Sequence, residues 1–129
     1  MSEKINWAVN VQVVGGPKVS TSNTITLDAY DKIQVSVDAG AADKKVEIQP
    51  GGAGQVQFLF IVSDQYDATL TYKVNSAASA TVIKLDGPQL FIGTGAVGLL
   101  DPAPSSFFFT NGLATGVLIE VLLGRDATP

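Results

Sequence analysis

The chain predicts an all-β fold, an antiparallel β-sandwich of about eight to nine short strands, with the jelly roll among the arrangements that fit. Three observations predict it. Apolar residues recur with period two in a series of short segments. Gly, Pro, Asn and Asp clusters separate those segments at spacings of about 8 to 12 residues. No window of helical length carries a 3.6-residue period. The 129 residues make one domain's worth of chain. From 13.4 kDa, such a fold exposes roughly 6,500 of about 19,400 Å² and so buries enough for one core without staples.

Ile5, Trp7, Val9, Val11 and Val13 alternate with Asn6, Ala8, Asn10 and Gln12, one apolar face on one strand. That face places Trp7 in the core. Gly15-Gly16-Pro17 ends the strand, because Gly permits positive φ and Pro cannot donate to a ladder. A second strand covers 24–27 and a third 32–38, where Ile33, Val35 and Val37 point inward. Residues 40–43 form a loop and 46–48 a short strand, and Pro50 to Gly54 make the strongest turn signal of the chain. Residues 55–63 carry Val56, Phe58, Phe60 and Val62 on one face and Leu59 and Ile61 on the other. A strand apolar on both faces is covered on both sides or faces a partner. Strands follow at 69–74, 81–85 and 89–92. The run Phe107-Phe108-Phe109 opens another, Asn111-Gly112 is a hairpin signal, and 117–123 closes the sheet. This assigns residues 1–4 to an N-terminal arm able to reach a neighbouring subunit, 5–123 to the sandwich and 124–129 to a tail.

Composition removes whole classes of chemistry. The absence of Cys excludes disulfides, thiolate metal sites and cysteine nucleophiles. The absence of His removes the commonest general base and zinc ligand. A net charge of -4 gives counterion release the wrong sign for nucleic acid. No apolar stretch approaches the roughly 20 residues of a membrane span, and residues 1–7 lack the apolar core of a secretory signal. Charged residues are only 16% of the chain, against about 25% in ordinary domains. Mean hydropathy is +0.27. Two accounts fit: an oligomer or docked subunit with a core-like interface, or a small β-protein whose outside is Ser, Thr, Asn and Gln.

Residues 93–98 match G-x-G-x-x-G. The dinucleotide fingerprint needs a helix N-terminus behind it, and Asp101-Pro102-Ala103-Pro104 breaks any helix after about one turn. A glycine-rich crossing between sheets is the better account. Asp28-Ala29-Tyr30-Asp31 and Asp64-Gln65-Tyr66-Asp67 share the form D-x-Y-D. Asx-type turns explain them, with Tyr laid over the core edge. The functional alternative is a Ca²⁺ site from Asp28, Asp31, Asp64 and Asp67, if the two turns meet. Glu120 stands between Leu118 and Leu122 on the last strand, either a perturbed acid or an edge charge that blocks aggregation. No nucleophile has a visible base beside it, so no catalytic group and no cofactor is expected.

Taken whole, residues 5–125 resemble the small β-sandwich or jelly-roll capsid decoration (cement) proteins of tailed bacteriophages. The likeness lies in alternating strands, Gly/Ala/Ser/Thr-rich turns, few charges, no Cys or His, and an apolar last strand running into Gly124-Arg125-Asp126-Ala127. The resemblance implies a non-enzymatic structural virion protein, assembled in the host cytoplasm, whose partners are itself, as a homotrimer or other homo-oligomer, and a major capsid or other virion protein. Neither nucleic acid nor membrane is implied as a partner. For the self-interface the expected contacts are Phe58, Phe60, Phe107, Phe108, Phe109 and Arg125. Successive residues of the Phe run point to opposite faces, so one side needs a second layer, from this chain or another. A carbohydrate-binding or adhesin-type sandwich is the alternative, with Tyr30 and Tyr66 as the aromatics found in turns.

Overall fold

Period-two alternation gives each strand one apolar face, and two such faces leave water most readily against each other. In a computed structural model, which describes residues 3–48, 55–101 and 103–126, ten strands and a single-turn helix arrange themselves on this rule. The strands are β1 (Glu3–Gln12), β2 (Lys18–Leu27), β3 (Ala29–Val37), β4 (Lys44–Glu47), β5 (Val56–Ser63), β6 (Leu70–Val74), β7 (Ile83–Lys84), β8 (Gln89–Ile92), β9 (Ser106–Asn111) and β10 (Val117–Arg125), with α1 at Thr94–Val97. The turn expected at 50–54 and the tail residues 127–129 lie outside the described residues, as do residues 1 and 2 of the expected arm.

Two four-stranded antiparallel sheets form the body, in the orders β3-β10-β5-β8 and β4-β9-β6-β7. The pairing is nested: β3 with β10, β4 with β9, β5 with β8 and β6 with β7. A long hairpin rolled up in this way is a jelly roll. Strands β1 and β2 form a two-stranded sheet of their own, in register from Glu3–Leu27 to Gln12–Lys18. The first segment is therefore one side of a hairpin arm spanning residues 3–27. The expected four-residue arm and the membership of this strand in the sandwich are corrected accordingly. Likewise Asn111-Gly112 leads from β9 to β10, which lie in different sheets, so it is a crossing and not a hairpin turn.

Inward side chains close the core. Val117, Ile119, Val121 and Leu123 of β10 lie beside Leu59 and Ile61 of β5, and the opposite sheet contributes Phe107, Phe109, Leu70 and Tyr72. Tyr72 meets Phe107 edge-on at 5.8 Å and Phe109 at 5.6 Å between ring centroids. Burial pushes the Tyr72 phenol up, and its O–H donates to Gln89 Oε1 at 2.6 Å, joining the two sheets across the core. At one end of the sandwich, buried Asn111 serves as an internal tie. Its Nδ2 donates to the carbonyls of Val37 (3.0 Å) and Thr115 (2.9 Å), and its Oδ1 accepts the Leu113 N–H (2.9 Å). Asn111→Ala removes three hydrogen bonds and leaves buried backbone groups unmatched. A loss of about 2–3 kcal/mol in urea unfolding is the expected result, with the β spectrum retained.

Candidate functional site

The two outer faces of the sandwich differ in kind. On the β4-β9-β6-β7 sheet, Lys45, Phe108 and Lys73 form one outward row. Its charges are matched locally: Lys45 to Glu47 at 3.0 Å and Lys73 to Asp43 at 3.4 Å. The Lys45 ammonium lies 5.8 Å from the centroid of half-buried Phe108. The β3-β10-β5-β8 sheet presents a more apolar outer face. Register sets Phe58 beside Gly124, Phe60 beside Leu122, and Val62 beside Glu120, with Leu90 and Ile92 next to Phe60 and Phe58.

The hairpin arm lies over part of that face. Period two sorts the arm into a polar side, where Thr24 Oγ1–H donates to Asn6 Oδ1 at 2.7 Å, and an apolar side carrying Ile5, Trp7, Val9 and Val11 with Ile25 and Val19 across from them. At its base, Leu27 is buried, and the Leu27 and Ile5 side chains close over β10 at Gly124. A Cβ there would collide with Leu27 Cδ1 and come within 2.9 Å of Ile5 Cδ1. One strand position further out, Ile5, Trp7, Phe58, Phe60, Leu90 and Leu122 enclose an apolar cleft of about 320 Å³. Trp7 is thus half-buried over the outer face and not in the core between the sheets.

Towards its tip the arm loses its cover. Val11, Val13 and Val19 are 60%, 60% and 72% exposed, and Val14 is fully so. The sheet beneath also continues uncovered, with Leu118 exposed and Val62 half-buried on its outer side. Lys32 and Glu120 punctuate this open half, and Glu120 Oε1 accepts the Gln34 amide at 2.8 Å. Glu120 is therefore an outward group engaged by a neighbour, on the same face as the open apolar row.

The sequence-predicted contacts divide among these layers. Phe107 and Phe109 point into the core and are fully buried, which removes them from any partner-facing surface. Phe58 is covered by the arm base, and Phe60 lines the cleft. Phe108 alone of the Phe run faces outward, on the opposite sheet. Arg125 faces Asp31 at 3.6 Å, longer than a hydrogen bond, so its Nε and Asp31 Oδ2 meet there as charges and not as donor and acceptor. Its neighbour Asp126 accepts the Gln57 side-chain amide.

The four aspartates do not come together. Asp28 and Asp31 sit where β3 begins, against Arg125, whereas Asp64 and Asp67 follow the far end of β5, beside Val117 to Ile119. Asp31 stands opposite Leu123 and Asp64 bonds to Leu118, five residues or about 17 Å apart along β10, so the joint Ca²⁺ site is corrected to two separate motifs, of which the first runs into β3 and only the second is a turn. In the second turn, Asp64 Oδ1 accepts the Leu118 N–H and the Tyr66 hydroxyl accepts the Ser63 N–H. Asp67 accepts both the hydroxyl and N–H of Thr69, which lowers its pKa. Tyr30 is exposed. Among the described residues, no three acidic side chains converge to hold a metal, and no helix is long and apolar enough to cross a membrane. At 93–98, Gly93 takes φ +91° and leads into the single turn of α1, which is the sheet-to-sheet crossing expected of it. A second cavity of about 320 Å³ lies along Lys45, Glu47, Asn75 and Ser105. Its polar groups are engaged: Asn75 Oδ1 accepts from the Ser105 and Ser106 N–H groups, and Lys45 faces Glu47.

Sequence reasoning missed the exposed arm strip of Val11, Val13, Val14 and Val19. The available signal was residues 18–23, a paired strand with Val19 as its lone apolar residue, which cannot belong to a sandwich covered on one face. Comparison with protein-family models, with curated proteins and with solved structures finds no match to this chain.

Two outcomes follow from these contacts. Gly124→Ala should lift the arm base and cost about 1–3 kcal/mol in urea unfolding, as overpacking does. In a Leu27→Ala background, itself costly as a buried large-to-small change, Gly124→Ala should cost less than in wild type, because the new methyl then has room. For Asp67 the lowered pKa means stability that is present above the ordinary value of 3.8 and lost as pH falls through the folded value. Asp67→Asn should therefore reduce the urea midpoint at neutral pH, and its difference from wild type should shrink as the pH falls below the ordinary carboxyl value of 3.8.

Proposed function

We propose that the protein is a non-enzymatic structural subunit of a virion, a capsid decoration (cement) protein that self-associates and binds the shell of a tailed bacteriophage. The observation that carries this reading is the arm: a ten-residue, two-stranded extension of a closed jelly roll whose apolar side runs beyond anything its own chain places beneath it. The outer half of this extension, with Val11, Val13 and Val19 exposed, does little for the stability of the body. Its use is to reach another molecule, and a two-sheet body with a cross-core tie at Tyr72 and Gln89 gives it a rigid base. The low charge content suits a subunit that spends its life packed against neighbours. A glycan-binding reading has less to stand on, since the Tyr66 hydroxyl is taken up by the Ser63 N–H and Tyr30 is an isolated exposed ring.

The test is to add the purified protein to tailed-phage shells stripped of their outer proteins and to follow co-sedimentation and shell melting. Saturable binding with a raised melting temperature is expected. Failure to bind any such shell, together with specific retention on a glycan array, would turn the assignment to the carbohydrate reading.

A further inference from the structure

The arm and the sheet each leave an apolar surface open, and the two surfaces belong to one chain. On the arm it is Val11, Val13, Val14 and Val19, all on or next to the apolar side. On the sheet it is the stretch past the arm's footprint, marked by Val62 and Leu118. Within the chain the arm base already lies apolar side down on this same sheet face, with Leu27 and Ile5 over Gly124 and Trp7 over Phe60 and Leu122. The open strip continues that contact in line. We propose that the outer half of the arm lies on the open half of the β3-β10-β5-β8 face of a second copy, reciprocally in a pair, as the continuation of the packing that the arm base makes at home.

Three features favour a second copy as the occupant. The polar side of the arm, Asn6, Ala8, Asn10 and Gln12 with Thr24, Ser22, Ser20 and Lys18 across from them, is suited to water, so only a one-sided cover is required. The open sheet row of Val62 and Leu118 supplies such a cover, and Glu120 on that row is held by the Gln34 side-chain amide. The size also fits. Full burial of an aliphatic side chain removes about 60–120 Å² from water, so the arm and sheet residues named bring a reciprocal pair to the order of 1,000 Å², where specific interfaces begin. A two-stranded ribbon without cover is marginal in water, so the pair also completes the arm.

The inference rests on the self-association in the reading above and not on the shell. The chain has no Cys, so introduced thiols report directly. Val11→Cys chains mixed with Val62→Cys chains and oxidised should give a disulfide-linked pair, whereas Val11→Cys mixed with Glu47→Cys, on the opposite sheet, should not. Equal linking in both mixtures, or none in the first, overturns the proposal. Independently, V11D/V19D should bring the mass measured by light scattering down to that of one chain with the β spectrum unchanged, because neither valine is needed by the body. A wild-type protein that runs as a single chain at micromolar concentration, or a variant of undiminished mass, also overturns it. A linked pair that binds no phage shell upholds the arm contact and removes the virion reading, and a shell-binding single chain does the reverse.

Discussion

Strand β10 is hydrogen-bonded on both edges, to β3 along its whole length and to β5 from Ile119 onward, so its two faces are fixed together. Its inner face supplies Val117, Ile119, Val121 and Leu123 to the core. Its outer face supplies Leu118, Glu120, Leu122 and Gly124 to the surface under the arm. A slip of one residue would exchange these sets, placing Glu120 in the core and Leu123 where Leu27 and Ile5 close over the strand. The apolar inner face forbids that slip. The register that makes the core thus also places the arm, and the irregularity between Gly124 and Arg125 falls just past the contact, where β10 and β5 end their pairing.

The scarcity of charge has a counterpart in how the strand ends are held. Asn111, Asn75 and Asp64 use their side chains to accept or donate to the backbone of adjoining crossings, and Asn75 adopts φ +68° to do so. At Asn111 and Asn75 neutral amides do this without the desolvation cost of an ionised group, while the Asp64 carboxylate does it at an exposed position. Where charges occur together they pair locally: Arg125 with Asp31 across the neighbouring strands β10 and β3, and Lys73 of β6 with Asp43 in the connection from β3 to β4.

Much of the body was legible in the sequence because period two is a strong signal when one face is buried. Residues 89–92 appear as a strand with the predicted bounds and the 69–74 strand begins one residue later, at Leu70, while the two-faced 55–63 segment is covered on both sides, by the core and in part by the arm. The hairpin was harder to read. Ile5 to Val13 looks the same whether its apolar face meets a core, an outer sheet face or nothing, since alternation records which residues share a side and not what lies opposite. The Phe run shows the same limit. Its alternation was correct, but the assignment of Phe107 and Phe109 to an interface required knowing which side the core takes. Distance between loops was beyond the sequence altogether: two D-x-Y-D motifs mark opposite ends of one sheet.

The nested pairing has a kinetic side. β3 closes against β10, almost at the other end of the chain, and β4 against β9, so the body cannot form until distant segments meet, and topologies of this kind fold in milliseconds to seconds. The arm needs only β1 and β2, joined by a tight turn in which the Gly16 N–H donates to the Val13 carbonyl, and local hairpins form in about 1–10 μs. The hairpin therefore forms and opens many times before its own outer sheet is assembled, because a two-stranded ribbon alone is marginal in water. The arm base gains its cover only once β5 and β10 are paired beneath Ile5 and Leu27, so the element that can form first is fixed in place last.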